Sequence, residues 1–268
     1  MALPPPGNDR AAIVTGASSG IGEQLAQTLA RRGYQVVLVA RSADRLEELA
    51  GRLGPQAHSL PADLADRTAR AGLLDGIAAL GLVPDILVNN AGFSTLGVVA
   101  KSVPEQEVNL VEVDVAAVVD LCSRFLPGMV DRHQGAVLNV ASIAGFGPLP
   151  GQAAYGAAKA FVLAYTHSLR GELRGTGVSA TVLCPGPVDT GFGEAAGFSK
   201  EEAESALPRV MWVPAEKVAQ AGIDGLAAGK AVVVPGRVNR VASAFFRVAP
   251  PELLLPVLSR NHPAMKRN

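Results

Sequence analysis

Residues 11–22 read Ala11-Ala12-Ile13-Val14-Thr15-Gly16-Ala17-Ser18-Ser19-Gly20-Ile21-Gly22, and this stretch decides the fold. Its first five residues form a short apolar run of the kind that makes a strand buried on both faces. Gly16, Gly20 and Gly22 then allow a tight turn and a close approach of backbone to a ligand, and a helical pattern continues through Arg32. A helix beginning near Gly20 would aim its unpaired N–H groups and positive dipole end at an anion, and a pyrophosphate is the expected one. The spacing is Gly-x-x-x-Gly-x-Gly rather than the G-x-G-x-x-G fingerprint, so three glycines alone could equally be a tight strand-to-helix turn.

Working outward, the same alternation repeats. Strand-like apolar runs fall at 35–40, 57–60, 85–89, 136–140, 179–183 and 231–234, with helical patterns at 45–49, 68–80, 105–129 and 153–174 between them. Short apolar strands alternating with longer helices imply right-handed parallel crossovers and a sheet covered on both faces. The expectation is an α/β fold: a Rossmann-type doubly wound parallel sheet of about seven strands in a single domain over residues 8–236. Residues 190–212, rich in Gly, Ala and Glu and placed after the sixth strand, are expected to form a lid over the ligand, since ligands bind beyond the carboxyl ends of such strands. A basic, apolar segment follows at 237–268.

Composition sets the outer limits. A chain of 268 residues with 49% hydrophobic residues can build a complete core, which excludes disorder and a small stapled scaffold. Lys+Arg 24 against Asp+Glu 24 gives no general affinity for nucleic acid, and 4% aromatics offers no stacking platform for single strands. The charges are unevenly spread, however: the tail holds six of the bases and one acid, leaving 18 bases against 23 acids before it. Cys122 and Cys184 lie in apolar stretches and read as small buried hydrophobes. His58, His133, His167 and His262 show no ligand spacing, so no metal site is expected. With no apolar run of membrane-spanning length and no leader-like pattern at residues 1–6, the chain reads as soluble and cytoplasmic.

Five residues carry candidate chemistry. Arg41-Ser42 follows the second strand, where a carboxylate would bond a ribose 2′-hydroxyl; a guanidinium instead pairs with a 2′-phosphate, which favours NADP(H) over NAD(H). Tyr155 and Lys159 stand one helical turn apart on one face. A phenol protonated at neutral pH can act as a general acid, and a nearby ammonium would stabilise its phenolate and bring it toward the working range. Ser142, just past the strand at 136–140, would present its hydroxyl at the carboxyl edge of the sheet. Taken singly, each of these is ordinary.

Together they converge. Thr15-Gly16-Ala17-Ser18-Ser19-Gly20-Ile21-Gly22, Asn89-Asn90-Ala91-Gly92, Ser142, Tyr155-x-x-x-Lys159 and Pro185-Gly186, in this order and separation, closely resemble the classical short-chain dehydrogenase/reductase family over residues 10–236. The resemblance implies hydride transfer between a nicotinamide and a carbonyl or alcohol. Tyr155 would then be the proton donor, Ser142 would position the substrate oxygen, and Lys159 would hold the nicotinamide ribose. It also implies cofactor contacts from Asp63-Leu64 at the adenine, from Asn89 at the adenine-side ribose, from Ala91 and Gly92, and from Val188 and Thr190 at the carboxamide. One departure stands out: the family usually carries an asparagine at the position of Asp114, where it anchors a water of the proton relay. An ionised aspartate accepts but cannot donate, so the relay is altered, or Asp114 is partly protonated, or turnover is slow.

The substrate is read from thinner signals. Phe146, Leu149, Pro150, Phe192 and Phe198 are candidate apolar lining that would suit a lipophilic ketone, although core packing explains such residues equally well. The stretches at 169–175, 210–213 and 233–236 and the tail through Leu258 resemble a mycobacterial branch of the family that includes a reductase of the β-keto ester precursor of mycolic acids. That points to a long-chain β-keto acyl ester or thioester, with a small-ketone or steroid-type dehydrogenase and a non-catalytic NADP-sensing protein as alternatives. In the tail, Arg237, Arg240, Arg247, Arg260, Lys266 and Arg267 accompany Phe245, Phe246 and Leu253-Leu254-Leu255. Two readings stay open there: peripheral contact with an anionic inner-membrane surface, or a helix that closes the cleft or packs on a partner. A homo-oligomer through the two long helices is expected by analogy.

Overall fold

The strand read at 11–15 forms as β1 (Arg10–Thr15), every residue after Arg10 buried, and the helix after it as α1 (Gly20–Arg31). In the computed structural model the described residues are 3–197, 208–261 and 263–266. β2 (Gln35–Val39), α2 (Ala43–Leu53), β3 (Ala57–Ser59), α3 (Arg67–Ala71), α4 (Leu73–Ala79) and β4 (Val83–Asn89) complete the first half. α5 (Pro104–Val111), α6 (Ala117–Asp131), β5 (Gly135–Val140), α7 (Ala153–Glu172), β6 (Val178–Leu183), α8 (Phe192–Ala195), α9 (Ala215–Ala227) and β7 (Val232–Val233) follow, and α10 (Arg237–Val248), α11 (Pro251–Asn261) and α12 (Pro263–Lys266) form the tail.

The seven strands are all parallel in the order β3-β2-β1-β4-β5-β6-β7. The order reverses between β1 and β4, and there the crossover helices leave to opposite faces and open a crevice beyond the strands' carboxyl ends. Each face of the sheet has its own core. α1 covers one of them with Leu25 and Leu29, both fully buried and one turn apart, each worth about 1.5–3 kcal/mol on removal from water. Phe125 and Met129 of α6 and Val162 of α7 fill the other.

Two elements depart from the sequence reading. The helix expected over 68–80 breaks at Gly72 into α3 and α4. The long helix expected over 105–129 is continuous in direction, but Glu112–Ala116 form a π-helical turn between α5 and α6. Such a turn inserts an extra residue, rotates the side chains that follow and is a common way to re-aim one into a site. Hydrophobic periodicity over so short a stretch does not reveal it. The cysteines are free and buried as expected, and burial pushes the Cys122 thiol up to about 11 and the Cys184 thiol up to about 12.

Candidate active site

At the carboxyl edge the glycine turn is stitched to the loop after β4. Thr15 Oγ1 accepts from the N–H groups of Asn90 (2.9 Å) and Ala91 (3.0 Å), and Asn90 Nδ2 donates to the carbonyl of Thr15 at 2.9 Å. Gly16 has φ 65°, a left-handed conformation that favours glycine, and a Cβ on Gly22 would lie 2.1 Å from the Gly16 carbonyl oxygen. Gly20 comes against Thr190, where a Cβ would lie 3.0 Å from that side chain, so the loop after β6 closes on the glycine turn. Ser19 precedes the 12-residue α1 without a side-chain cap, leaving the first-turn N–H groups to an outside acceptor. Arg41 and Ser42 are exposed at the end of β2, in line with this edge. A glycine cradle, an uncapped helix start and a free guanidinium fit a phosphate-bearing dinucleotide.

The other expected cofactor residues divide. Ala17 and Pro185 are buried, Ser18, Ile21, Ala91, Gly92, Gly186, Val188 and Thr190 are half-buried, and Asp63 is exposed, all at this edge. Asn89 and Leu64 do not turn their side chains to it. Asn89 points into the core, its Nδ2 donating to Asn139 Oδ1 at 2.8 Å and to Cys122 Sγ at 3.4 Å. Leu64 is packed in the core and contributes its carbonyl to Arg70. In both cases the backbone alone is left to face a ligand: strand alternation at the end of β4 sends the Asn89 side chain inward, and Leu64 packs into the core from the loop after β3.

Ser142 caps a single 3-10 turn, Ile143–Phe146, and its Oγ accepts from the Ala144 N–H at 3.1 Å. That turn lies flat on α7: a Cβ on Gly145 would come within 2.7 Å of the Lys159 carbonyl, and it is this glycine that lets the serine reach the helix bearing Tyr155 and Lys159. Lys159 Nζ donates to the Val140 carbonyl at 3.3 Å and lies 5.6 Å from the centre of the Tyr155 ring. The sequence reading places Asn90 only within the Asn89–Gly92 run, with no role of its own, and gives no signal for Gly145.

Asp114 belongs with them. The π turn aims it inward, fully buried, with Oδ2 2.9 Å from Lys159 Nζ and Oδ1 accepting the Phe93 N–H at 3.0 Å. Oδ1 thus accepts a backbone hydrogen bond, and Oδ2 faces the Lys159 ammonium as an ion-pair contact. Burial holds the Asp114 carboxyl above its ordinary range, and Lys159 and the Phe93 N–H oppose that rise without cancelling it. For Lys159, burial acts against the ammonium, but Asp114 and Tyr155 outweigh it and the lysine is held above its ordinary range. Tyr155 corrects an expectation. Burial pushes its phenol above the ordinary value; Lys159 and Ser142 pull it down as anticipated, but burial and the Asp114 charge prevail.

Of the expected apolar lining, Phe192 reaches the site: its ring lies 5.8 Å from that of Tyr155 at 49°. Leu149 and Pro150 are half-buried on the segment leading into α7, with Leu149 against Gly156. Phe146 is instead a core residue, capped by the Arg247 guanidinium 4.5 Å above its ring. Phe198 and the part of the lid at 198–207 lie outside the described residues, as do His262 and Arg267. Among the described residues no group of three or more His, Cys, Asp and Glu could hold a metal ion, and no helix is long and apolar enough to cross a membrane.

A hydroxyl, a phenol and an ammonium gathered beside a dinucleotide-type glycine turn suit the exchange of hydrogen between an alcohol and a carbonyl, and the fold and site together define that class of NAD(P)-dependent oxidoreductase. Residues 10–200 match the profile of the "short chain dehydrogenase" family, and the chain belongs to it. It is 35% identical over 185 residues to serine 3-dehydrogenase of Rhizobium radiobacter, covering 67% of this chain and 72% of that one. It is 36% identical over 178 residues to the NADP-dependent 3-hydroxy acid dehydrogenase YdfG of Escherichia coli (strain K12), covering 66% and 71%. The solved short-chain dehydrogenase from Sphingobium yanoikuyae in complex with NADPH superposes with a TM-score of 0.78 at 30% identity, over 95% of this chain and 97% of that one.

Proposed function

We propose that the protein is an NADP(H)-dependent carbonyl reductase acting on a lipophilic ketone, with a long-chain β-keto acyl ester or thioester as its substrate class. The observation that carries the reaction is the meeting of Ser142, Tyr155 and Lys159 at the carboxyl edge, beside the glycine turn. Arg41, exposed where a 2′-phosphate would arrive, supports NADP(H). So do the names of the relatives. The apolar character is supported by Phe192 over the Tyr155 ring and by Leu149 nearby.

Gly16 to Gly22 would hold the pyrophosphate, Arg41 and Ser42 the 2′-phosphate, Lys159 the nicotinamide ribose, and Val188 with Thr190 the carboxamide. The bound dinucleotide supplies the hydride. Ser142 directs its O–H to the substrate oxygen and holds it beside Tyr155. Tyr155, kept as a phenol by burial, delivers the proton to that oxygen as the alcohol forms. Phe192 excludes water from the phenol and offers an apolar wall.

α10 has two faces, and each serves one reading of the tail. Its buried face packs on the sheet edge: Asn239 Nδ2 donates to the carbonyls of Met211 (2.9 Å) and Pro235 (3.0 Å), and Phe246 lies beside Gly147, just past the serine turn. Its outer face presents Val241, Phe245 and Val248 at helical spacing, 58–80% exposed, with Arg237 and Arg240 and no acid on the helix. We infer that this face rests on an anionic inner-membrane surface, from which a cytoplasmic enzyme would collect a lipid substrate. Two like-charged copies of the face would repel one another, so subunit contact is assigned elsewhere: to Val108 and Val111 of α5 and Phe161 of α7, exposed on neighbouring helices.

The deciding measurement is NADPH oxidation against ketones graded by chain length, including β-keto acyl esters, thioesters and short 3-oxo acids. Rates rising with chain length support the substrate class. A preference for short 3-oxo acids would move the enzyme to the specificity named for its relatives, and no turnover of any ketone would end the reductase reading. Flotation with phosphatidylcholine vesicles, with and without phosphatidylglycerol, tests the tail. Equal or absent binding to both refutes the anionic surface.

A further inference from the structure

We propose that Asp114 is a charge-compensating positioning residue: its carboxylate, 2.9 Å from Lys159 Nζ, cancels the ammonium that would otherwise favour the Tyr155 phenolate, and so biases the enzyme toward carbonyl reduction. The inference rests on the proposed reaction, but its first test does not need a substrate.

The geometry is specific. Asp114 is fully buried and Lys159 nearly so, so neither charge is screened by water and each acts on Tyr155 through a low-dielectric interior. An asparagine in the same place would leave the site with one net positive charge; with aspartate the pair is neutral. The pairing is built, not incidental. The π turn Glu112–Ala116 delivers the carboxylate, the Phe93 N–H fixes Oδ1, and Gly92 makes room, since a Cβ there would lie 2.8 Å from Asp114 Oδ2.

The groups facing Tyr155 and Lys159 from the neighbouring elements are few. Asp114 comes from the π turn, the Ser142 hydroxyl from the turn after β5, and Cys184 from the end of β6, with Arg247 of α10 acting on Cys184. The Cys184 thiol, pushed up to about 12, is neutral at working pH. Among the described residues, Asp114 is thus the acidic group that faces Lys159.

Direction follows from proton balance. Reduction forms a C–H bond from the hydride and an O–H bond from the Tyr155 proton, leaving a phenolate that regains a proton from solvent. Oxidation runs the other way and needs Tyr155 already ionised to receive the alcohol proton. Keeping Tyr155 a phenol therefore favours the first and holds back the second at neutral pH.

The test is ultraviolet titration of tyrosinate, with the same titration of Tyr155→Phe subtracted to isolate Tyr155 among three tyrosines. Asp114→Asn should move the Tyr155 transition to lower pH by about one unit or more, and neutral-pH alcohol oxidation should rise about tenfold per unit moved. The alkaline limb of ketone reduction should fall by the same amount. Because Asp114→Asn leaves Lys159 buried without a counter-charge, Asp114→Asn/Lys159→Met is the second variant. With both charges gone, its Tyr155 should titrate close to the wild-type value. A Tyr155 transition that stays put or rises in Asp114→Asn overturns the proposal, as does one in the double variant far above the wild type. A shifted titration without any ketone turnover would retain the charge compensation and reject the reductase reading.

Discussion

The Asp114 carboxylate and the Lys159 ammonium form an interior ion pair, 2.9 Å apart, where the π turn between α5 and α6 faces α7. The lysine is therefore partnered within the protein itself. Lys159→Ala alone should destabilise the protein by about 3–5 kcal/mol, because a buried carboxylate is left uncompensated. Asp114→Asn/Lys159→Ala should recover much of that loss. Urea unfolding of the two variants measures it, and equal losses in both would show that the pair contributes no coupling.

Tyr155→Phe keeps the ring that stacks near Phe192 and removes the acidic proton. NADPH binding, followed by fluorescence, should be near normal while kcat falls about 10²–10⁴-fold. A turnover number close to wild type would reassign the acid.

Arg41 is exposed at the end of β2, so its removal should cost the fold little. Arg41→Ala should weaken NADPH roughly tenfold or more, the scale of a lost hydrogen bond to a charged group, and leave NADH almost unchanged. Parallel titrations with the two reduced cofactors read the difference; equal loss for both would place the 2′-phosphate elsewhere.

Arg70 is buried and bonded to Glu112 Oε1 (2.7 Å), to Asp120 Oδ2 (2.9 Å) and to the Leu64 carbonyl, which ties the loop after β3 to the helix bearing Asp114. The Arg70 hydrogen bond holds the Glu112 carboxyl below its ordinary 4.5. A depressed folded value stabilises above the unfolded one, so this contribution is complete above about pH 4.5 and is lost as pH falls through the lower folded value. Arg70→Met should lower the urea midpoint at pH 7 and flatten its acid dependence. An unchanged acid dependence would remove Arg70 from that linkage.

Phe192→Ala removes the ring beside Tyr155. KM for long-chain ketones should rise several-fold, with short ketones less affected, since the loss is one of apolar contact. A uniform fall in kcat across chain lengths would instead make the ring a support for Tyr155.

Much of the site could be read along the chain because its parts are local. The Gly16 to Gly22 turn, the Tyr155 to Lys159 spacing and the apolar strands each rest on backbone geometry or periodicity within a few residues, and the resemblance joined them. Asn89 and Leu64 show the limit. The motifs mark their positions, but which way a side chain turns depends on what packs around it, and Asn89 at the end of β4 and Leu64 in the loop after β3 both turn inward. Phe146 was assigned to core rather than pocket by the helix above it, whose Arg247 covers its ring.

The sequence by itself determined the doubly wound parallel sheet and the glycine turn, since hydrophobic period and residue spacing are properties of the chain, and the family resemblance marked Ser142, Tyr155 and Lys159 as candidates. What Asp114 does was decided by the tertiary structure. It lies 45 residues from Lys159 in sequence, and the π turn, the Phe93 N–H and the room left by Gly92 bring the two within an ion pair. Burial then sets the strength of that pair and the protonation of Tyr155, because the dielectric around a charge is fixed by everything packed around it.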